Sequence, residues 1–160
     1  MFTPVLIKTP IGNFTFASDP GEPLKNVPRK SVTEEEAEIL KGLVLNKNVL
    51  EIGTGLGVST RAIALTAKTV VSVDIDSWTH RFEFPPNVVL LSEIPTEQFD
   101  LVFIDGFHER SAVYKDIKAS KTDLYILHDC DHLDVLFAAS MAGLVQIQKF
   151  NTACDMRMFK

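Results

Sequence analysis

Short apolar runs alternate with longer amphipathic stretches over most of the chain. The runs are rich in valine, isoleucine and leucine, as strands are, and they span residues 49–52, 69–73, 88–91, 99–104 and 123–127. Apolar residues at helical spacing precede, separate and follow these runs, at residues 31–45, 59–68, 111–119 and 133–142. This alternation predicts a Rossmann-like, doubly wound α/β fold, because strands separated by helices form a parallel sheet. With further strands at 144–150 and 155–159, we expect about seven strands, mostly parallel, with an antiparallel C-terminal strand.

Two of the predicted connections are too short for a full helix. Residues 77–87 are interrupted by Pro85 and Pro86, and residues 92–99 leave little room before the fourth strand. We therefore expect reduced helices between strands two and three and between strands three and four.

The first thirty residues differ from the pattern that follows them. Residues 1–17 predict two short strands joined by a turn, and residues 18–30 are a loop rich in proline and glycine. We interpret residues 1–30 as an N-terminal extension that packs against a single domain at 31–160. A lid over the site, or a contact within a homo-oligomer, is the alternative reading of the same segment.

The helix at 31–45 carries the clearest start signal in the chain. Thr33 is a good N-cap, and Glu36 three residues later completes the pattern of a capping box. The run Glu34, Glu35 and Glu36 also suits the positive end of the helix dipole. We interpret this run as a solvated first turn.

Three glycines follow the first of the five strand runs at alternate positions, Gly53, Gly55 and Gly57. A dinucleotide fingerprint would place its third small residue at position 58, which is Val58, and a phosphate-binding P-loop would need Gly-Lys-Ser/Thr. The pattern that remains is E-x-G-x-G-x-G, which begins at Glu51. A tight turn that binds no ligand is the plain alternative.

This glycine pattern resembles motif I of the class I S-adenosylmethionine-dependent methyltransferases. The resemblance implies that the loop lies against the methionine part of the cofactor, and that Glu51 organises the site around its amino end. The cofactor-binding residues implied within the motif are Glu51, Gly53, Thr54, Gly55 and Gly57.

A carboxylate ends the second strand run at a suitable distance from the glycines. Asp74 lies 21 positions after Gly53, where this fold class binds a ribose hydroxyl, and Asp76 competes for the role. Ile75 is the neighbouring candidate for cofactor contact. Trp78 could stack on the adenine or fill the space of a reduced helix, and Glu93 is a further candidate for the adenine end.

A second block resembles one branch of the same methyltransferases, family 24, which includes O-methyltransferases. It reads I-D-G-F-H, then V-Y-K-D, then a strand that ends in H-D. The matching positions are Asp105, Gly106, His108, Val113, Asp116, His128 and Asp129. A Pro-Gly-Gly turn that the branch has before its fifth strand is replaced here by residues 120–122.

The carboxyl ends of parallel strands meet at one edge of the sheet, so these side chains should converge beside the glycine loop. The resemblance implies a divalent cation at Asp105, His128 and Asp129. Carboxylates suit Mg²⁺, and histidine adds Mn²⁺, Fe²⁺ or Zn²⁺. His108 could act as general base, together with Asp105 as the second catalytic candidate.

Plainer roles stay open for each of these residues. His108 could cap the following helix, and His128 and Asp129 could shape the cofactor pocket without any metal. We also interpret Asp131 as the N-cap of the last helix and His132 as a surface residue at its start.

The composition of the chain limits its expected partners and cellular compartment. The net charge is −5 and the basic residues are scattered, which argues against a nucleic acid partner. Two cysteines form no disulfide framework and suit a reducing, cytoplasmic setting. We see no secretion signal and no apolar stretch of 18 residues, so no membrane span is expected.

These patterns together predict an S-adenosylmethionine-dependent methyltransferase that methylates an oxygen of a small-molecule acceptor, with a divalent cation as a candidate assistant. One alternative is a module of the same fold that binds the cofactor without transferring a methyl group. A nicotinamide-dependent enzyme is a third reading, against which Val58 argues.

Overall fold

The computed structural model describes residues 3–9, 12–18, 32–75 and 83–160. The predicted loop at 18–30 lies almost wholly outside these residues, as do the candidates Asp76 and Trp78.

The predicted N-terminal strands are confirmed. Strands β1 (Thr3–Thr9) and β2 (Gly12–Ser18) pair antiparallel as a separate two-stranded sheet, in the register that places Val5 opposite Phe16.

The main sheet has seven strands, as the sequence predicts. They are β3 (Asn48–Ile52), β4 (Thr69–Val73), β5 (Val88–Leu91), β6 (Leu101–Ile104), β7 (Tyr125–Leu127), β8 (Gln146–Lys149) and β9 (Arg157–Phe159). Their order is β5-β4-β3-β6-β7-β9-β8; the first five are parallel, and β9 is antiparallel to both of its neighbours. The chain changes direction across the sheet at β3, and ligands bind at such a point in doubly wound folds.

Four helices accompany this sheet in the described residues. They are α1 (Glu34–Leu43), α2 (Val58–Ala64), α3 (Arg110–Ala119) and α4 (Leu133–Met141). The capping box of α1 is present, and no helix forms within 83–87 or 92–100, which agrees with the predicted reduced connections. The interpretation of Asp131 as the N-cap of α4 is wrong, because His132 occupies that position. No helix in the described ranges is long and apolar enough to cross a bilayer.

The central strands are apolar throughout because helices cover both faces of the sheet. Successive side chains of a strand point to opposite faces. Leu101 and Phe103 therefore pack with α1 and α2, whereas Val102 and Ile104 pack with α3 and α4. These two cores fix the strand ends that carry the polar residues.

Glu51 is an exception to this apolar rule. It is fully buried within β3, where its Oε1 accepts a hydrogen bond from Ser59 at 2.6 Å. Its Oε2 accepts hydrogen bonds from Thr60 and Ser72, each at 2.5 Å. Burial raises the pKa of Glu51 to about 7, although the three hydroxyl groups oppose that rise. The carboxyl group thus joins β3, the first turn of α2 and β4 beneath the glycine loop.

Gly53 allows the ends of two strands to approach each other. Its φ is +101°, and a Cβ atom there would lie 2.4 Å from the carbonyl oxygen of Asp105. Only a residue without a side chain permits this contact, so Gly53 brings the residue after β6 against the glycine loop.

We expect Gly53→Ala to lower the free energy of unfolding by about 2 kcal/mol or more, because the clash is with backbone that cannot rotate away. Gly42→Ala in α1 is the matched control, since a Cβ atom there has no neighbour within 4 Å. The control should be neutral or stabilising by roughly 0.5–1 kcal/mol. Urea denaturation of both variants measures the difference, and equal stability of the two would contradict the close approach.

A second prediction concerns pH and Glu51. Its folded-state pKa is raised, from 4.5 to about 7, so its contribution to stability is complete below pH 4.5 and is lost as the pH rises through 7. Glu51→Gln, which stays neutral, should flatten the fall in unfolding free energy over that window. The exposed Glu38, paired with Lys41, gives the control Glu38→Gln, which should leave the pH profile unchanged. A wild-type profile that does not fall in this window would contradict the prediction.

Candidate functional site

A cavity of about 740 Å³ opens at the carboxyl edge of the parallel strands. Its wall is built by the segments that follow β3, β4, β5, β6 and β7. Most of the candidate residues from the sequence line it: Gly53, Thr54, Gly55, Asp74, Ile75, Asp105, His108, His128 and Asp129. The fold therefore brings the glycine loop and the second block of motifs to one place.

Three candidates do not belong to the wall of this cavity. Glu51 lies beneath the loop, as described above. Glu93 is exposed, and its neighbours Ser92 and Ile94 line the cavity instead. Gly57 packs closely against Phe84, since a Cβ atom there would meet that ring at 2.4 Å.

The tip of the glycine loop is tied to the end of β4. Asp74 Oδ2 accepts a hydrogen bond from the Gly55 N–H at 2.7 Å, and the Thr54 and Ser72 hydroxyl groups lie 2.7 Å apart. The loop is thus held in shape without a ligand. Asp74 is placed where the sequence predicts a ribose contact, at the cavity wall.

Arg61 of α2 holds the loop from its other side, and sequence reasoning did not single it out. The side chain is buried and donates hydrogen bonds to the Gly57 carbonyl at 3.0 Å and the Glu83 carbonyl at 2.6 Å. Its guanidinium carbon also lies 4.5 Å from the centre of the Phe84 ring. An arginine on an otherwise apolar helix face is the signal that could have identified it.

The part of the cavity wall beyond the glycine loop holds three histidines and two carboxylates. His128 Nδ1 lies 2.9 Å from Asp105 Oδ1 and 3.1 Å from Asp129 Oδ2. His108 Nε2 lies 2.8 Å from the same Asp129 oxygen, and its ring stacks on that of His132 with centres 5.0 Å apart. His132 is exposed and stands at the start of α4, as the sequence predicts, and it also lines the cavity.

Glu36 reaches this cluster from α1, and the sequence interpretation of it as part of a solvated turn is wrong. Glu34 and Glu35 are exposed, but Glu36 is completely buried. Its Oε2 lies 3.3 Å from His128 Nε2, and its Oε1 accepts a hydrogen bond from the Cys154 N–H at 3.1 Å. A capping-box position signals only the helix start, so nothing local distinguishes Glu36 from its neighbours.

The charges of this cluster support one another. Burial opposes ionisation of His128, but the carboxylates of Asp105, Asp129 and Glu36 hold its pKa far above the usual value. In turn, and against the effect of burial, His108 and His128 hold the pKa of Asp129 low, and His128 with the Thr33 N–H holds that of Glu36 at about 2. The Asp129 carboxylate beside His108 raises the pKa of that imidazole.

The pKa values of two other carboxyl groups at the cavity are raised mainly by burial. Burial raises the pKa of Asp105, with His128 opposing, and it raises the pKa of Asp116 to about 6. Asp116 stands on α3 and lines the cavity next to the His108 segment.

Two groups of described side chains could hold a metal ion, and the predicted set of Asp105, His128 and Asp129 stays a prediction. Asp105, His108 and Asp129 each offer one atom within 4.8 Å of the others, so His108 rather than His128 completes the group at the cavity. His128 belongs to a second group with Glu36 and Cys154. His128 also lies against both aspartates, through its Nδ1 atom.

No protein-family model and no curated protein matches this sequence. Solved structures do match it. A putative RNA methyltransferase from Pyrococcus horikoshii is 16% identical with a TM-score of 0.65, over 89% of this chain and 91% of that one. The ribosomal protein L11 methylase of Lactobacillus delbrueckii subsp. bulgaricus is 14% identical with a TM-score of 0.61, over 78% and 75%.

A third solved structure contains a relevant ligand. It is the N-methyltransferase NodS from Bradyrhizobium japonicum in complex with S-adenosyl-L-homocysteine, 15% identical with a TM-score of 0.55, over 79% of this chain and 85% of that one. The family 24 branch is not distinguished by these likenesses and stays a prediction. Identities this low speak for the fold alone, and the chain has the fold of the class I S-adenosylmethionine-dependent methyltransferases.

Proposed function

We propose that this chain is an S-adenosylmethionine-dependent methyltransferase that methylates a hydroxyl group of a small molecule. One observation carries the proposal: a single cavity holds the glycine loop with Asp74 at one end and the pair His108–Asp129 at the other. The first end suits a nucleoside with a charged tail, and the second suits an acceptor that must lose a proton.

The residues of the first end fit the cofactor. Gly55 leaves open space at the loop, since a Cβ atom there would have no neighbour within 4 Å, and the Asp74 carboxylate can accept hydrogen bonds from ribose hydroxyls. Ile75, which is 72% exposed, and Ile94 supply apolar surface for a flat base. When bound, S-adenosylmethionine supplies an electrophilic methyl group on a sulfonium. Glu51 would act indirectly, by supporting the loop from below.

The residues of the second end can act as a proton acceptor and as the groups that hold it in place. His108 faces the cavity, and the Asp129 carboxylate 2.8 Å away stabilises the imidazolium that forms when His108 takes a proton. Stacking on His132 further limits rotation of the ring. Asp105 holds His128 through Nδ1, so its role is to orient the cluster beside the methyl donor.

The cavity also supports a small acceptor. Its volume of about 740 Å³ lies within the usual range of roughly 300–1,000 Å³ for small-molecule sites. The described residues of its wall include four aspartates and no lysine or arginine. The negative charge of these aspartates would repel a phosphate backbone. The names of two solved structures of this fold give RNA and a ribosomal protein as the methyl acceptors, so the fold by itself leaves the acceptor of this chain open.

A divalent cation fits the group Asp105, His108 and Asp129, since mixed carboxylate and imidazole donors suit Mg²⁺ or Mn²⁺. When bound, it would supply a Lewis acid for the acceptor oxygen. His108 cannot be a ligand and the proton acceptor at the same time, so the ion and the base are competing versions of this end. Full activity in excess EDTA would show that the reaction needs no ion.

We expect Asp74→Ala to raise the dissociation constant for S-adenosylhomocysteine by about ten-fold or more, since a charged hydrogen bond contributes about 1.5–3 kcal/mol. Asp74→Asn keeps an oxygen for the Gly55 N–H and separates the loss of charge from the loss of loop shape. Asp134→Ala, which removes an exposed ion pair with Arg110, is the control and should bind normally. Calorimetry provides the measurement. A wild-type chain without affinity for either form of the cofactor would refute the proposed function.

For the proton acceptor, we expect His108→Ala to lower kcat by about 100-fold or more on a hydroxylated acceptor while cofactor affinity stays unchanged. Screening methyl transfer from labelled cofactor to catechols, other phenols and sugars supplies the acceptor. Asp134→Ala again serves as control. If the wild type binds the cofactor but methylates nothing in the screen, the alternative of a binding module gains support. An equal loss of kcat and cofactor affinity would assign His108 a structural role.

A further inference from the structure

The side of His128 that faces away from Asp105 carries a second group of metal-binding side chains. Glu36, His128 and Cys154 each place one donor atom within 4.8 Å of the other two. They come from α1, from the end of β7 and from the turn before β9, so only the folded chain assembles them. We propose that these three residues bind a borderline-soft divalent cation of the Zn²⁺ type.

The first observation that supports this site is an unsatisfied nitrogen. His128 is only 4% exposed, and its Nε2 makes no hydrogen bond within the described part of the chain. Glu36 Oε2 is 3.3 Å away, at ion-pair distance but without hydrogen-bond geometry. A buried ring nitrogen normally makes a hydrogen bond, whereas this one makes only the longer contact with Glu36, which a cation between the two atoms would account for.

The distance itself suits two ligands of one ion. Zn–N and Zn–O bonds of about 2.0–2.1 Å in a tetrahedron place the two ligand atoms roughly 3.3 Å apart. Glu36 and His128 have this separation. Cys154, a free and half-buried thiol, stands next to them because its own N–H donates to Glu36 Oε1.

The second ring nitrogen of His128 gives independent support. Metal-bound histidines almost always donate their other N–H to a carboxylate, a backbone carbonyl or water, which fixes the tautomer and the ring orientation. His128 Nδ1 lies 2.9 Å from Asp105 and 3.1 Å from Asp129, so this outer support is already in place. Charge is a further argument for a cation, because three carboxylates surround this one imidazole.

The donor set identifies the class of ion. Thiolate, imidazole and carboxylate together favour Zn²⁺ over Mg²⁺ or Ca²⁺, which prefer oxygen. The Cys154 side chain binds a metal as thiolate, so binding would release a proton to solvent. His128 and Cys154 both line the cavity, so an ion at this site would be accessible from it.

The test uses the full chain, freed of metal, with Co²⁺ as a spectroscopic substitute for Zn²⁺. We expect a sulfur-to-cobalt charge-transfer band in the near ultraviolet that Zn²⁺ abolishes by displacement. Cys154→Ala should lose the band. Cys130→Ala should keep it, and is the matched control because Cys130 is a buried free thiol whose Sγ–H bonds instead to the Leu127 carbonyl.

Two further variants complete the experiment. Glu36→Gln preserves the capping box, since glutamine serves at that position, yet it should weaken Co²⁺ binding by about ten-fold or more. His108→Ala should leave the band unchanged, which separates this site from the group at Asp105, His108 and Asp129. Circular dichroism confirms folding in each case. The proposal is overturned if the wild type shows no band or if the band survives Cys154→Ala; neither result depends on methyl transfer.

Discussion

The buried contact between His128 and three carboxylates organises this molecule. Glu36 approaches from the first helix, Asp105 from the end of β6 and Asp129 from the position after His128 itself. An ionised carboxylate buried alone would be very costly, and so would a lone buried imidazolium. Each therefore requires the others, and α1 must dock where its first turn meets the sheet edge. The helix that starts the domain becomes part of the cavity's foundation.

A comparable arrangement supports the glycine loop. Glu51 gathers hydroxyl groups from α2 and β4 under the loop, while Arg61 joins the loop to the segment at Glu83 and Phe84. Neither side chain is in the cavity wall, yet together they determine the backbone shape that the wall presents. Polar residues buried beneath a site can thus prepare it without touching a ligand.

The two ends of the cavity meet at one backbone contact. Gly53 lies against the carbonyl of Asp105, so the loop that would hold a cofactor directly adjoins the strand end that carries the titratable cluster. This arrangement is suited to two reactants held side by side, because positioning alone removes much of the entropy cost of a bimolecular reaction. It also explains why a glycine, rather than any small residue, stands at position 53.

Local features of the sequence predicted most of the fold and the position of the glycine loop within it. Strands β4 and β5 have the predicted bounds, since β-branched runs between turns are a local signal. The positions of Gly53, Gly55 and Asp74 at the cavity also followed from the chain, because a strand end and a glycine turn are adjacent in sequence. The capping box of α1 was readable for the same reason.

The tertiary structure alone decided which polar residues meet. Glu36 and Glu35 are neighbours with the same chemistry, and only helix packing buries one of them against His128. The stacking of His132 on His108 and the approach of Cys154 to Glu36 likewise depend on distant segments. Periodicity reports which way a residue faces within its own element, whereas contacts between elements depend on how those elements pack, and that information is spread over the whole chain.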